Sequence, residues 1–339
     1  MRSPYKGPPP RGGTPEPPYR RSPIVCTVGR AQLVDGVREV LGRTGFFLSE
    51  KHGARGLAFD VVARRDDLLL LIKVLRNVDA LDRESADELR LLATTLKGSP
   101  LVVGERSGSG EMEDGVIYSR SGIPILSRQT FVDMLEDGMP PFMFAAPGGL
   151  YVRLDADALR GAHEQRGISL GALAEIAGVS RRTIQLYMDG MSATVDIAMR
   201  LEEFLGEPLV LPMDPFAYTK ETAQLLQNYE AFERFERDVF LKLQQLGFDV
   251  RPILRSPFEA LASRDEVFLT SVPTRGEKVE EKARIVSNIS RVVERDAVLF
   301  VEIQTRRQSI EGTPVVQKSE LRRMRDPDEI EDLIAERRK

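Results

Sequence analysis

In the stretch FDVVARRDDLLLLIKV, residues 59–74, Asp60 opens one strand-like run and Lys73 closes the next, with a charged turn between them. Two carboxylates followed closely by a lysine can hydrolyse a phosphodiester. The acids hold Mg²⁺ through hard oxygen ligands, and the lysine helps to activate water. The second acid of such a set belongs two places before the lysine, where this chain has Leu71. A single carboxylate holds Mg²⁺ weakly, because that ion sheds its waters reluctantly. Asp60 and Lys73 therefore read as strand-end charges or as a nuclease scaffold without its chemistry. A nuclease that recruits its missing acid from elsewhere, such as Glu39 or Glu50, is the competing reading.

A second constellation lies in LRGAHEQRGISLGALAEIAGVSRRTIQLYMDGMSATVDIAMRLEEFLG, residues 159–206. Ser169 is placed to cap a short helix ending at Ala177, which would bury Leu173, Ala174 and Ile176. Gly178 follows at a turn that needs positive φ. Ser180 is placed to cap the next helix, on which Ile184 and Tyr187 face inward, three apart. Arg181, Arg182 and Gln185 are left on the outer face, beside Thr183. Arginine can bridge guanine O6 and N7, and glutamine can pair with adenine N6 and N7. Thr194 can cap a fourth helix, whose Ile197, Leu201 and Leu205 close the bundle. The stretch resembles the Cro/C1-type helix-turn-helix, in which the N-terminal end of the second helix of the pair enters the major groove. Ser169, Ser180, Arg181, Arg182, Thr183, Gln185 and Thr194 are the candidate DNA-binding residues. Leu170-Gly171 replaces the phosphate-clamping glutamine usual in that family, and Leu186 stands where a polar residue is usual. From 155 to 206 five arginines face eight acids, so the phosphate term that dominates non-specific affinity is small.

The elements around these residues repeat. After a Pro-, Gly- and Arg-rich segment, 1–23, which reads as a disordered basic tail, folded sequence runs from 24 to 145. Its pattern is a helix at QLVDGVREVLGRTG, three strands, a helix over 85–96, the strand PLVVGE, and IPILSRQTFVDMLEDG as a strand feeding a helix capped by Ser127. GMPPFMFAAPGG reads as a break before the helical module, 150–212. A long helical pattern from Thr219 to Leu246 then opens the final part, 219–339. There FEALASRDEVFLTSV answers FDVVARRDDLLLLIK, with Glu259 at the place of Asp60, and GTPVVQKSELRRM answers GIPILSRQTFVDM. This order of elements resembles the restriction-endonuclease-like, or PD-(D/E)xK, fold. The fold class is thus α/β plus all-α, two such α/β domains flanking a helix-turn-helix bundle.

The chain as a whole resembles the archaeal HTH-type transcriptional regulatory proteins. That resemblance implies a sequence-specific regulator without enzymatic activity, whose partner is double-stranded DNA. GERSGSGEMEDG has glycines but no Lys-Ser/Thr and no following helix, so no phosphate loop or cofactor is expected. One cysteine and two histidines leave few soft metal ligands, and Cys26 alone fits a reducing cytoplasm. The longest apolar run, Leu68 to Ile72, is too short to span a membrane. Because the module is acidic, a homodimer on a near-palindromic site is expected, joined through the α/β domains. An adaptor whose helical module grips protein remains the alternative that lacks DNA altogether.

Overall fold

The computed structural model describes residues 29–51, 56–217, 229–274 and 277–338. The first unit consists of α1 (Arg30–Arg43), β1 (Phe47–Leu48), β2 (Val61–Arg65), β3 (Leu68–Asn77), α2 (Arg83–Leu96), β4 (Ser99–Ser107), β5 (Gly110–Glu111), β6 (Val116–Arg120), β7 (Ile123–Ser127) and α3 (Arg128–Glu136). Strands β8 (Met143–Ala146) and β9 (Gly149–Leu154) lead into α4 (Ala156–Gln165), α5 (Leu170–Ala177), α6 (Arg181–Met188), β10 (Ala193–Thr194), α7 (Val195–Leu205) and β11 (Val210–Leu211). The last unit is α8 (Arg234–Gln245), β12 (Asp249–Pro252), β13 (Ala260–Ser263), β14 (Val267–Ser271), α9 (Val279–Val293), β15 (Asp296–Val301), β16 (Ser309–Ile310), β17 (Thr313–Gln317), α10 (Lys318–Arg323) and α11 (Asp328–Arg337).

The two α/β units share one topology. Their strand orders are β1-β2-β3-β4-β7-β6 and β12-β13-β14-β15-β17-β16. In each, the third strand of that order pairs parallel with the fourth and the fourth with the last-but-one, and the other pairings are antiparallel. The backbone fixes the alignment: Asp60 N–H donates to Ile72 O at 2.8 Å, and Glu259 N–H donates to Thr270 O at 3.0 Å. By that register Leu71 corresponds to Leu269 and Lys73 to Ser271. Both leucines are fully buried.

Strand β3 is apolar on both faces, as a strand covered on both sides must be. Leu70, Ile72 and Val74 pack with Leu33, Val37 and Leu41 of α1 and with Phe131 of α3. Leu69 and Leu71 face the other way, into a core that also contains α2, α9, and Leu261 and Leu269 of the second sheet. Helices α2 and α9 thus lie between the sheets in a single core. On the far side of the second sheet, α8, α10 and α11 cover Ala262, Phe268, Val298 and Phe300. The double-sided cover explains the composition of α2, which buries Ala86, Leu89, Leu91, Leu92, Ala93 and Leu96 as well as Ser85 and Glu88. One amphipathic stripe would not suffice there.

Polar groups within this shared layer tie the units together. Glu88 on α2 accepts from the backbone N–H groups of Leu254 at 3.1 Å and Arg255 at 2.9 Å. Asn288 on α9 accepts reciprocally from Glu50 N–H at 2.6 Å, and Ala58 N–H donates to Arg255 O at 2.7 Å. Burial raises the pKa of Glu88, and its two N–H donors pull it back. Arg255 also reaches Asp82 and Glu84, each at 2.6 Å.

Two expectations from the sequence change here. Part of the break expected at GMPPFMFAAPGG is a strand: β8 and β9 form a hairpin, and β8 pairs parallel with β6, so the first sheet runs on into the helical module. The helix expected from Thr219 begins, within the described residues, only at Arg234, after a short 3₁₀ turn over Tyr229–Ala231; residues 218–228 lie outside the described part. The faces of α2 and α9 are covered by the other half of the same chain.

Replacing Glu88 with Ala leaves the Leu254 and Arg255 N–H groups without their acceptor in a half-buried seam. Chemical denaturation should show a loss of about 1–3 kcal/mol. A change within about 0.5 kcal/mol, the scale of an ordinary surface substitution, would mean that these bonds do not hold the units together.

Candidate nucleic-acid interface

The nuclease-like corner is satisfied by protein groups alone. Asp60 Oδ1 accepts from Arg30 Nη2 at 2.6 Å, and Oδ2 accepts from Val74 N–H at 2.8 Å. Lys73 Nζ stands 3.8 Å from Oδ2 and donates to the carbonyl of Leu57. Burial lowers the pKa of Lys73, with the Asp60 carboxylate acting in the opposite direction. The Arg30 guanidinium supplies positive charge to the carboxylate that, in a nuclease, would bind the metal. Nothing in the sequence pattern pointed to Arg30, which the chain brings over from α1. In the second unit Glu259 accepts from Val272 N–H at 2.6 Å and from Lys282. Burial pushes its carboxyl up to about 7, against the pull of the Lys282 ammonium. Glu39 pairs with Arg43, and Glu50 reaches Arg284 at 3.9 Å. Among the described residues, no group of three or more His, Cys, Asp or Glu is placed to hold a metal ion.

The helical module is built on β9. This strand pairs with β10 and β11 as well as β8, and Asp155 at its end accepts from the N–H groups of Asp157 and Ala158 to start α4. Ser169 Oγ accepts from Ala172 N–H at 3.1 Å, and Ser180 Oγ accepts from Thr183 N–H at 3.1 Å. The Thr183 hydroxyl lies 2.8 Å from Ser180 Oγ, so it belongs to the same cap. Between the two helices Gly178 sits at φ 71, and a Cβ there would lie 3.0 Å from Arg200 Nη1. Thr194 makes no side-chain cap; it is half-buried where β10 meets α7, and its backbone pairs with Tyr151.

Ile184, Tyr187 and Met188 anchor α6 in the bundle core, while Arg181, Arg182 and Gln185 are exposed. On α5 the buried stripe is Leu173, Ala174 and Ala177, so Ile176 falls outside it and is 38% exposed rather than buried. On α7 the stripe is Ala198, Leu201 and Leu205, which leaves Ile197 half-buried at the edge of the core. The module's arginines divide by task. Arg160 donates to Met188 O at 2.6 Å and Arg166 to Leu205 O, each tying off the end of a helix. Arg200 lies over the α5–α6 turn. Arg181 lies over α5: a Cβ on Gly171 would meet its Nη2 at 3.0 Å and its Nε at 3.2 Å. Gly171 therefore makes room for that guanidinium, a pairing that the sequence spacing did not suggest. The hairpin β8–β9 was more legible, since Pro147-Gly148-Gly149 separates two apolar runs.

Comparison with known proteins agrees with both parts. Residues 30–141 match the PD-(D/E)XK superfamily domain, and residues 159–211 match a helix-turn-helix domain. A protein of Halorubrum lacusprofundi described as "Putative HTH-type transcriptional regulatory protein" is 40% identical over 92% of this chain and 98% of its own length. Proteins with that description from Natronomonas pharaonis and Methanosarcina barkeri are 38% and 37% identical, over 91% and 90% of this chain and 99% and 97% of their own lengths. No solved structure matches the chain.

The geometry around Leu71 leads to a definite outcome. Leu71→Asp places an unpaired carboxylate in the core between the sheets and should cost about 3–5 kcal/mol. Urea denaturation with and without Mg²⁺ checks this; stabilisation by Mg²⁺ in the variant would show that the corner can still assemble a metal site.

Proposed function

The chain belongs to the family of archaeal HTH-type transcriptional regulatory proteins, and we propose that it regulates transcription by binding specific sequences of double-stranded DNA through α6. One observation carries this reading. Arg182 and Gln185 stand exposed on α6, with no hydrogen bond or ion pair to any described residue, while Ile184 and Tyr187 hold the helix rigidly from behind. Guanidinium and carboxamide groups presented this way match the edges of guanine and adenine. Arg181 has a different role in this reading. Lying across the first turn of α5, it contacts phosphate and takes over from the absent glutamine, while Ser169, Ser180, Thr183 and Thr194 shape the surface around it. Leu186, 41% exposed beside Gln185, suits a thymine methyl.

The α/β units, 24–145 and 219–339, act in this reading as scaffolds for the reader at 150–212, in the cytoplasm and without hydrolysing DNA. The support is local: Arg30 and Val74 N–H occupy Asp60, and leucine fills the second-acid position in both units. A homodimer on a two-fold site completes the proposal. Its contact is placed on the α/β units, whose edge strand β1 and helix α8 expose Phe47 and Leu241. The described residues contain no helix long and apolar enough to cross a membrane.

Selection of bound sites from a random duplex pool supplies the operator. Arg182→Ala and Gln185→Ala should each cost about 1–3 kcal/mol on that site and relax preference at one base position. Arg181→Ala should instead weaken all sequences alike and reduce the salt slope by about 1. Full affinity in both the Arg182 and Gln185 variants would remove α6 as the reader. Salt-independent retention on a protein, with no DNA retardation, would favour the adaptor.

The remaining two parts of the proposal have separate readouts. Plasmid incubated with the protein and Mg²⁺ or Mn²⁺ should stay intact; cleavage that disappears in Asp60→Ala would make the chain a nuclease. Sedimentation with operator DNA should give two chains per near-palindrome; one chain on a non-repeated site would exclude the dimer.

A further inference from the structure

Above the carboxyl ends of the parallel strands β14 and β15, the second unit opens a cleft of about 1210 Å³, with walls from α8, α10, the start of α9 and the segment between β15 and β16. At the corresponding place in the first unit the described residues are filled in, and the strand register shows how. Val301, at the end of β15, stands at the position of Gly104 on β4. Over Gly104 the first unit is packed solid: a Cβ there would meet Val78 Cγ1 at 2.3 Å and Met112 Sδ at 3.3 Å. Strand β4 continues to Ser107 and turns back into β5, whereas β15 stops at Val301. At this position, then, the second unit lacks the Val78 and Met112 side chains that fill the first. Clefts outside the carboxyl ends of parallel strands are where open α/β sheets bind ligands.

The charges in the cleft are unevenly committed. Glu302 and Asp238 face Lys318 at 2.6 and 3.9 Å, and Glu280 is held by Arg307 at 3.0 Å. Glu277 receives Lys282 at 3.0 Å and Thr274 N–H at 2.8 Å, whereas the exposed Glu233 stands at the N-cap of α8 without a side-chain cap. Arg234 on α8 and Arg322 on α10, both exposed, make no hydrogen bond or ion pair with any described residue. Beside them Phe235, Val301 and Ile310 supply an apolar wall. Two uncommitted planar guanidinium groups at such a wall suit a ligand with a doubly charged end and an apolar body, since each can donate two parallel N–H bonds to phosphate or carboxylate.

We propose that this cleft binds a small organic dianion, a phosphate monoester or a dicarboxylate. The site is separate from α6 and adds ligand recognition to a unit read above only as a scaffold. Calorimetric titration of the full chain at constant ionic strength, with AMP, 2-oxoglutarate and inorganic phosphate as probes, tests it. At least one organic dianion should bind saturably and at least tenfold tighter than inorganic phosphate; AMP and 2-oxoglutarate distinguish the two sources of charge. The Arg234→Ala/Arg322→Ala double variant should weaken that binding at least tenfold, and Arg182→Ala should leave it unchanged. Arg322→Glu, a single exposed change, should reproduce the loss if the double variant proves unstable. Three results overturn the proposal: no saturable binding of either organic probe, binding no tighter than inorganic phosphate, or binding that survives the charge reversal.

Discussion

Helices α2 and α9 have sheets on both sides, and this shared apolar layer is the constraint from which the rest of the structure follows. Each helix offers residues to two sheets, so neither α/β unit completes its core without the other. Burial of the leucine-rich faces supplies the driving force, at roughly 25 cal/mol per Å² of apolar surface removed from water. Glu88 and Asn288 set the alignment by capping backbone N–H groups across the seam. An isolated copy would expose this face to solvent, a large apolar patch of the kind that soluble monomers rarely carry.

The same layer accounts for the residue at the second-acid position. The second-acid position lies on the strand face that points between the sheets, and in both units leucine occupies it. An ionised carboxylate there would have to leave water without a metal to receive it. The acids at the other position have protein partners: Asp60 accepts from Arg30 and a backbone N–H, and Glu259 from Lys282 and a backbone N–H. In each unit a side-chain cation and an amide now satisfy the carboxylate.

Helix α6 is held in a module tied by a chain of paired backbone to the first sheet. Strand β6 pairs with β8, β8 with β9, and β9 carries β10 and β11, which frame α7. The module therefore extends the first sheet and does not hang from a free linker. Its few arginines are divided between helix ends, the α5–α6 turn and the outer face of α6. That division leaves Arg182 on the outer face of α6 with its side chain unengaged by the described residues.

The sequence by itself determined the features that depend on near neighbours along the chain. The α5–turn–α6 unit is legible because Ser169, Gly178 and Ser180 act on backbone groups within a few residues of themselves. The repeat is legible because two stretches of similar local pattern make the same strands and helices. Only the tertiary structure decided what depended on residues far apart in the chain. Arg30 meets Asp60 because α1 packs across β3; Arg181 meets Gly171 because two helices fold together; Leu71 and Leu269 share a core because the two units face each other. The β8–β9 hairpin belongs partly to each class: its turn is visible in Pro147-Gly148-Gly149, but its pairing with β6 is not. Caps and turns are fixed by short-range hydrogen bonds and allowed dihedrals. Partners across a seam are fixed by which apolar faces are left to be covered, and periodicity can mark such a face without naming its cover.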